Sequence, residues 1–352
     1  MKKILFIVGA RPNFVKIAPL IRACKKYENI NYLLVHTGQH YDKNISSDLF
    51  EDLEIPEPDY NLNVGGLTPA KQIGQTIIKL DDIILEHKPD LCVVVGDINS
   101  TLSAAICSLK NNVKIAHIEA GLRSFDKNMQ EEHNRILVDN ISDYLFVTEE
   151  SGLINLKNET ISPEKIFFVG NVMIDSLTHT IQKNNINLNN KQDYFVATIH
   201  RQENLKKEIF LKNMINAFNT ISKDKKIILP LHPRTKKMLS ELKLLSKFNN
   251  KIEIIDPMKY SEFISLIAKS KGVITDSGGI QEETSYLKIP CYTIRDSTER
   301  PITITKGTNI LISDFDELLK KIKTPPKRGE SIPLWDGNTA PKILEKINKL
   351  IQ

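Results

Sequence analysis

The sequence predicts an α/β protein of two doubly wound parallel-sheet domains that face a cleft. The chain of 352 residues is too long for one ordinary hydrophobic core and suits two domains of roughly 150 residues each. Short apolar segments alternate with segments of helical spacing along nearly the whole chain. A polar segment rich in Asn, Lys and Gln, residues 182–193, interrupts this alternation as a linker would.

The predicted elements follow one another in βα order, with short apolar strands. In the first half we predict strands at residues 3–8, 30–36, 91–95, 113–118, 144–148 and 165–168, and helices at 13–26, 69–87, 99–109, 131–138 and 151–156. In the second half we predict strands at residues 194–198, 226–231, 251–255, 272–275 and 290–293, each followed by a helical pattern. Strands connected in this way form parallel sheets with helices on both faces.

These elements set the expected domain boundaries. We expect a first domain over residues 1–181 and a second over residues 182–337. The final helix, residues 338–352, follows a Pro-containing stretch, and we expect it to pack back on the first domain.

Composition argues against nucleic-acid and membrane proteins. The net charge of +5 is mild, and the lysines occur in scattered pairs without the clustering that a phosphate footprint requires. No apolar run approaches the roughly 18 residues of a membrane span. The apolar run at residues 4–10 is short for a signal peptide and leads directly into Arg11 and Pro12, so we interpret it as the first strand.

The four cysteines indicate a reducing compartment. Cys24, Cys92, Cys107 and Cys291 lie far apart, and no Cys-x-x-Cys spacing is present. Such cysteines are typical of reduced core thiols, which favours the cytoplasm and argues against a metal site.

Residues 275–283 predict an anion-binding turn. A short β-branched strand ends at Thr275, and Ser277, Gly278 and Gly279 then lead into a helical pattern. Glycines let the backbone approach a ligand, and the N–H groups of a helix start bind phosphate. The acidic residues one turn further on, at 282 and 283, are placed to reach ribose hydroxyls. A simple tight turn is the alternative interpretation.

Polar clusters follow nearly every predicted strand, where open parallel sheets bind ligands. They comprise Arg11, Gln39-His40, Asp97, Glu119 and Arg123 in the first half, and His200-Arg201, His232-Pro233-Arg234, Asp276-Ser277 and Arg295-Asp296 in the second. Each has an alternative interpretation. Asp97 could be a helix N-cap, Glu131 a first-turn charge, and His200 a hydrogen-bonded strand-end residue. Their shared position at strand ends favours a common cleft.

The chemistry of this cleft suggests a diphosphate-linked substrate and no cofactor. Neither a Walker loop nor a G-x-G-x-x-G motif is present, which removes the main reason to expect ATP or NAD. We expect the second domain to hold the nucleotide, with His232, Arg234 and Gly279 among its contacts. The first domain would bring acids and bases to the attached group.

A series of motifs runs in order along the chain: Gly9-Ala10-Arg11-Pro12 with Lys16, Gly96-Asp97, His117-Ile118-Glu119-Ala120-Gly121-Leu122-Arg123, Glu131-Glu132 with Asn134-Arg135, His200-Arg201-x-Glu203-Asn204, His232-Pro233-Arg234, residues 275–283, and Arg295-Asp296-x-Thr298-Glu299-Arg300-Pro301. Together they resemble the non-hydrolysing UDP-N-acetylglucosamine 2-epimerases. The resemblance extends to Trp335-Asp336-Gly337 and therefore covers essentially the whole chain.

The resemblance implies a fold, a reaction and a set of site residues. It implies two Rossmann-like domains in a GT-B-like arrangement, a homodimer, and the conversion of UDP-N-acetylglucosamine to UDP-N-acetylmannosamine without NAD or metal. UDP would be eliminated across C1 and C2 and added back to the glycal. The family's catalytic residues correspond to Asp97, Glu119, Glu131 and His200. Its UDP contacts correspond to Arg11, Ser277, Gly278, Glu283 and Arg300, with Lys16 and Arg135 as further charge partners.

The residue chemistry is consistent with that reaction. The C2 proton is weakly acidic, so we expect clustered carboxylates at 97, 119 and 131 to raise one another's pKa. The departing UDP needs fixed positive charge and backbone donors, which Arg11, His200 and the helix start at Gly278 can supply. The assignment of acid and base stays open. We favour residues 97 and 131 for proton transfer and residue 119 for orientation.

Other functions remain as alternatives. Residues 37–44 depart from the Thr-Ala-Gln-His-Arg of bacterial members, which leaves activation by a second UDP-sugar open. This segment, with residues 11–14 and 123–126, looks more like the branch that includes epimerases of UDP-2,3-diacetamido-glucuronic acid. A glycosyltransferase or a non-catalytic nucleotide-sugar sensor would share the architecture. The products of such epimerases usually feed surface polysaccharides.

Overall fold

The computed structural model describes residues 1–39 and 49–352, which divide into two compact units. The first unit comprises Met1–His179 together with Pro333–Gln352, and the second unit comprises Thr180–Ile332. Each unit is a parallel sheet with helices, as the sequence predicts. The predicted residue His40 lies outside the described residues.

The first unit contains a seven-stranded parallel sheet in the order β3-β2-β1-β4-β5-β6-β7. Its strands are β1 Lys2–Val8, β2 Ile30–His36, β3 Tyr60–Asn61, β4 Leu91–Val95, β5 Lys114–Ala120, β6 Tyr144–Val147 and β7 Ile166–Phe168. Its helices are Arg11–Cys24, Pro69–His87, Asn99–Lys110, Gln130–Ile141, Glu150–Asn158, Val172–Lys183, within which the two units divide, and Thr339–Leu350. The sequence did not predict β3, because two residues carry no periodicity.

The central strands of this sheet are buried because helices cover them. All five residues of β4 are buried. On one face, Leu5 of β1 and Val94 of β4 share a hydrophobic core with Leu80 of helix Pro69–His87 and Ala104 of helix Asn99–Lys110. This core fixes the carboxyl ends of β1, β4 and β5, where the candidate residues Arg11, Asp97 and Glu119 follow.

The second unit contains a six-stranded parallel sheet in the order β10-β9-β8-β11-β12-β13. Its strands are β8 Tyr194–Thr198, β9 Lys226–Pro230, β10 Ile252–Ile255, β11 Gly272–Thr275, β12 Cys291–Ile294 and β13 Asn309–Ile312. Its helices are Gln202–Leu205, Glu208–Ile221, Pro233–Glu241, Tyr260–Lys269, Gly278–Leu287, Pro301–Thr305 and Phe315–Lys321. Strand β13 lies at the edge of the sheet. The sequence did not predict this strand, because three consecutive apolar residues are too few to indicate one.

The C-terminal segment is held in the first unit by hydrogen bonds. The indole N–H of Trp335 donates to the carbonyl oxygen of Thr148 at 3.1 Å. The carboxylate of Asp175 accepts from the backbone N–H groups of Thr339 and Ala340 at 3.0 and 2.7 Å. These two groups begin helix Thr339–Leu350, whose N–H groups have no acceptor within the helix.

Two sequence-based expectations can be compared with the described residues. All four cysteines are buried and free. None of the helices within residues 1–39 and 49–352 is both long enough and apolar enough to cross a membrane.

We predict that Asp175→Ala lowers the free energy of unfolding by about 2 kcal/mol, because two buried N–H groups lose their acceptor. Asp175→Asn retains one acceptor oxygen and should lose about half as much. Urea unfolding of the two variants and the native chain measures the difference. An unchanged midpoint in Asp175→Ala would show that the helix start is held by other contacts.

Candidate functional site

Glu119 occupies an irregular position at the end of β5. The register between β5 and β6 shifts between Ile118 and Ala120, and the φ of Glu119 is +71°. Residues other than glycine rarely adopt this left-handed conformation, which costs of order 1 kcal/mol or more and occurs preferentially at functional sites. Glu119 is buried, and its carboxylate forms an ion pair with the ammonium of Lys16.

The start of helix Arg11–Cys24 positions Lys16. Asn13 accepts hydrogen bonds from the backbone N–H groups of Gly9 and Ala10 at 3.4 and 3.2 Å. It also donates to the carbonyl oxygen of Val95 at 2.9 Å, which fixes the helix start to the end of β4. Lys16, one turn further on, is only 7% exposed. The predicted residue Arg11 is the exposed first residue of this helix.

The turn after β4 brings Asp97 close to this ion pair. Gly96 has a φ of +68°, and a Cβ at this position would lie 3.3 Å from Nζ of Lys16 and 3.4 Å from Oε2 of Glu119. Asp97 follows, and its carboxylate forms an ion pair with Arg135. The Asp97 side chain is 30% exposed, so it keeps access to solvent and to a ligand.

Arg135 is itself fixed by Glu132. The guanidinium of Arg135 contacts Glu132 Oε2 at 2.7 Å, and the same carboxylate accepts from the N–H groups of Ser124 and Phe125 at 2.9 and 2.8 Å. Burial alone would raise the pKa of Glu132, but the hydrogen bonds from Ser124 and Arg135 outweigh it and leave the pKa below its usual value. Glu132 therefore remains ionised and holds the loop after β5 against the helix.

The structure refines the predicted acid cluster of the first unit. It pairs Asp97 with Arg135 and Glu119 with Lys16, whereas the sequence suggested carboxylates that repel one another. Glu131 is exposed on the first turn of helix Gln130–Ile141, while its neighbour Glu132 is buried.

Sequence reasoning did not assign roles to Glu132 and Asn13. Residues 132, 135 and 139 have the i, i+3, i+7 spacing of one helix face and are all buried. Charged residues on the buried face of a helix are a signal that could have identified Glu132. Asn13 carried no such signal, because its bonds depend on the conformation of the preceding turn.

In the second unit, Asp276 organises the ends of β8 and β11. Its buried carboxylate accepts from the backbone N–H groups of His200 and Arg201 at 3.1 and 3.0 Å, and from the side chain of Asn204 at 3.1 Å. The ring Nδ1 of His200 lies 3.2 Å from Asp276 Oδ1, and the His200 side chain is 51% exposed. Asp276 therefore positions His200 while leaving the rest of the ring accessible.

The pKa of Asp276 reflects these contacts. Burial on its own would raise the pKa of this carboxyl, but the hydrogen bond and charge of His200 and the N–H of Arg201 outweigh it. The pKa of Asp276 is therefore below its usual value, and the group remains ionised at neutral pH.

The predicted anion-binding turn begins helix Gly278–Leu287. Ser277 is the N-cap, its side chain makes no capping hydrogen bond, and its own N–H donates to Thr275 Oγ1 at 3.0 Å. A methyl group at position 278 would lie 2.8 Å from Oε1 of Glu299, so only glycine fits here without displacing that carboxylate. A helix start of this kind presents N–H groups to an anion.

The acidic pair one turn into this helix is buried. Glu283 is 3% exposed and accepts a hydrogen bond from the hydroxyl of Tyr260 at 2.8 Å. Glu282 is 0% exposed, and its Oε2 lies 3.0 Å from Nε of Arg300. The predicted residue Glu283 thus belongs to helix Gly278–Leu287, and the predicted residue Arg300 contacts the same helix through Glu282.

The remaining predicted contacts of the second unit lie after β9. His232 is half-buried beyond the end of that strand, and its carbonyl oxygen accepts from the N–H of Lys236 at 2.9 Å. Arg234 belongs to helix Pro233–Glu241. Gly279 is the second residue of helix Gly278–Leu287.

Together these features define an α/β protein with two doubly wound units, each with polar groups at its strand ends. One carries ion-paired carboxylates at strand ends, and the other carries a glycine-containing helix start suited to phosphate. Residues 22–348 match the model of the UDP-N-acetylglucosamine 2-epimerase family. The chain belongs to this family, which confirms the resemblance found in the sequence.

Individual relatives support this assignment. The UDP-N-acetylglucosamine 2-epimerase of Methanocaldococcus jannaschii is 42% identical over 358 residues, which cover 97% of this chain and 98% of the relative. The UDP-2,3-diacetamido-2,3-dideoxy-D-glucuronate 2-epimerase of Pseudomonas aeruginosa is also 42% identical, over 322 residues that cover 90% of each chain.

Solved structures agree with the fold. The crystal structure of the Methanocaldococcus jannaschii UDP-GlcNAc 2-epimerase in complex with UDP-GlcNAc and UDP has a TM-score of 0.91, with 42% identity and 99% of each chain covered. The Neisseria meningitidis enzyme bound to UDP-GlcNAc has a TM-score of 0.89, with 30% identity, 99% of this chain and 100% of that chain covered. The predicted fold class is confirmed.

We predict a pH-dependent stability difference between the native chain and Asp276→Asn. A carboxylate with a lowered pKa in the folded state stabilises the fold above its unfolded pKa, about 4, and this contribution is lost as the pH falls through the folded pKa. The native chain should exceed the variant by about 2 kcal/mol at neutral pH, and the difference should shrink below about pH 4. Urea titrations over this range measure it. A difference that does not change with pH would contradict the role of the charge.

Proposed function

We propose that this chain is an epimerase at C2 of a UDP-2-acetamido sugar, with UDP-N-acetylglucosamine and UDP-N-acetylmannosamine as its substrate and product. The observation that carries the proposal is the pair of carboxylates, Asp97 and Glu119, at the ends of neighbouring strands, each with a fixed cation. Membership of the epimerase family supports it.

The second unit supplies the nucleotide contacts in this proposal. The N–H groups at Ser277, Gly278 and Gly279 bind the diphosphate, because a helix start combines free donors with the positive end of its dipole. Glu283 serves the ribose, and Tyr260 fixes its carboxylate. Further positive charge and hydrogen-bond donors come from His200, His232, Arg234 and Arg300 of this unit, and from Arg11 of the first unit.

The first unit supplies the acid–base chemistry. A carboxylate removes the C2 proton, the C1–O bond breaks, UDP departs with the bonding electrons, and a C1–C2 double bond forms. UDP then returns to C1 while C2 accepts a proton on the opposite face. We assign proton transfer to Asp97 and Glu131. Glu119, held by Lys16, orients the sugar, and Arg135 holds Asp97.

A second substrate has specific support. The Pseudomonas aeruginosa epimerase of the diacetamido-glucuronate nucleotide has the same 42% identity to this chain as the Methanocaldococcus jannaschii enzyme, over 90% instead of 97% of the chain. The two nucleotides differ at C3 and C6 of the sugar, and the reaction at C2 is the same. Side-by-side kcat/KM values for both nucleotides decide between them.

We also propose a cytoplasmic homodimer that supplies surface-polysaccharide precursors. The buried free cysteines favour a reducing compartment. Helix Pro69–His87 exposes Ile78 and Leu85, which lie two turns apart on one face and would be covered by a second copy. Light scattering of the purified chain measures its mass, and a monomeric mass would contradict the dimer.

We predict that the native chain incorporates deuterium at C2 of UDP-N-acetylglucosamine in D₂O, without an acceptor. Asp97→Asn should slow this exchange by about 10²- to 10⁴-fold, because general acid–base catalysis contributes this much. Its affinity for UDP should stay within about threefold, because Asp97 is not among the proposed nucleotide contacts, most of which lie in the second unit. NMR of the sugar and calorimetry with UDP measure the two quantities.

Asp316→Asn is the matched control. Asp316 is exposed on helix Phe315–Lys321 of the second unit, so its replacement should leave exchange unchanged. Lack of exchange by the native chain with both the acetylglucosamine and the diacetamido-glucuronate nucleotides would rule out the proposed reaction. Loss of UDP binding in Asp97→Asn would mean that Asp97 acts structurally.

We predict that Gly278→Ala weakens UDP binding by at least about tenfold, which corresponds to about 1.4 kcal/mol. The added methyl would lie 2.8 Å from Glu299 Oε1 and 3.8 Å from Arg295 Nη1, at the helix start where the diphosphate binds. Gly74→Ala is the control, because nothing lies within 4 Å of a Cβ at that helical position. Equal UDP affinity in the two variants would argue against diphosphate binding at Gly278.

A further inference from the structure

His117 is a fully buried histidine beneath the candidate carboxylates of the first unit. It lies on β5, two residues before Glu119, and its exposure is 0%. Its ring Nδ1 lies 2.7 Å from Oδ1 of Asp139, and its Nε2 lies 2.9 Å from the carbonyl oxygen of Gly96. Both ring nitrogens are therefore within hydrogen-bonding distance of oxygen atoms.

The chemistry of these partners determines where the protons are. The Gly96 carbonyl can only accept a hydrogen bond, so Nε2 carries a proton. Asp139 Oδ2 accepts from the N–H of Gly121 at 3.0 Å and faces the guanidinium of Arg123 at 2.8 Å.

Asp139 is ionised in these surroundings. Its Oδ2 faces two donors, the N–H of Gly121 and the guanidinium of Arg123, and the pKa of Asp139 is below its usual value although burial alone would raise it. An ionised carboxylate only accepts, so Nδ1 carries a proton as well. A histidine that donates from both nitrogens is an imidazolium.

We propose that His117, which donates hydrogen bonds from both ring nitrogens, positions Asp97 and Glu119 by holding the carbonyl group of Gly96. The inference deepens the proposed function, because it concerns the same two carboxylates. The ring of His117 contacts Gly96 and Asp139, and it acts on Asp97 and Glu119 through Gly96. It is therefore a positioning residue and not a catalytic one.

Gly96 is the link between the imidazolium and both carboxylates. Its N–H donates to the carbonyl oxygen of Ile118 at 3.1 Å, so both of its backbone polar groups are bonded to β5. Asp97 is the next residue, and the Lys16–Glu119 pair lies close to its Cα. A displacement of Gly96 would therefore move Asp97 and disturb the packing of Glu119.

The charges around His117 balance locally. Asp139 comes from helix Gln130–Ile141, and Arg123 comes from the loop after β5. Arg123 also binds both carboxylate oxygens of Glu159 at 2.7 and 2.6 Å. The two cations and two anions have no net charge, which reduces the cost of burying an imidazolium.

Two substitutions separate the two hydrogen bonds of the ring. In His117→Gln the side-chain amide reaches the position of Nε2 and can still donate to Gly96. In His117→Asn the amide reaches only the position of Nδ1, so it can donate to Asp139 and leaves the Gly96 carbonyl without this partner. We expect His117→Asn to lower kcat about 10²-fold, because small displacements of catalytic groups have effects of this size.

KM and UDP affinity should stay within about twofold in both variants, and His117→Gln should retain kcat within about tenfold of the native chain. Equal loss of kcat in the two variants, or a larger loss in His117→Gln, would overturn the role of the Gly96 contact. Circular dichroism and urea unfolding confirm that each variant is folded.

The protonation state has its own test, which does not depend on activity. The chain contains 8 histidines, and ¹⁵N labelling with either folded variant at position 117 assigns the resonances of this ring. Both nitrogens should show the shifts of protonated ring nitrogens at neutral pH, because both face hydrogen-bond acceptors. A neutral tautomer at neutral pH would overturn the inference. An imidazolium in a chain without epimerase activity would instead contradict the proposed function.

Discussion

The junction of β4 and β5 at Gly96 is the constraint on which the first unit's site depends. Strands in a parallel sheet end at the same edge, but their terminal residues are free to diverge. Here both polar groups of the Gly96 backbone are bonded to β5, so the two strand ends stay together. The cations Lys16 and Arg135 then fix the carboxylates that follow, each from a different helix. Positioning is thus achieved by two ion pairs: the Lys16–Glu119 pair is buried, whereas Asp97 in the second pair remains 30% exposed.

The second unit uses a buried charge in a similar way. The carboxylate of Asp276 accepts hydrogen bonds from backbone N–H groups at the end of β8. The carboxylate of Glu132 accepts hydrogen bonds from backbone N–H groups in the loop after β5. In both places an ionised carboxylate replaces secondary structure as the partner of backbone donors, which otherwise have to be satisfied by water. Side chains beside these charges can remain accessible to a ligand. The His200 side chain beside Asp276 is 51% exposed, and the Asp97 side chain beside Arg135 is 30% exposed.

The sequence predicted those parts of the fold and site that depend on local pattern. Strand and helix alternation placed Asp97, Glu119 and residues 275–283 at strand ends, because apolar periodicity stops where a strand stops. It could not predict the left-handed conformation of Glu119, which depends on a register shift against a neighbouring strand. Nor could it predict that each carboxylate faces a cation, because Lys16 lies 103 residues from Glu119 in the chain. Contacts between distant residues depend on tertiary packing rather than on periodicity.

The return of the C-terminal segment has a consequence for biosynthesis. The first unit is assembled from two stretches of chain, and the whole of the second unit lies between them. During translation, Pro333–Gln352 is synthesised only after the second unit. Thr148 and Asp175 therefore cannot form their hydrogen bonds with this segment before then. The second unit, in contrast, is continuous and can fold as soon as it leaves the ribosome. The first unit is therefore completed only after the whole of the second unit has been made.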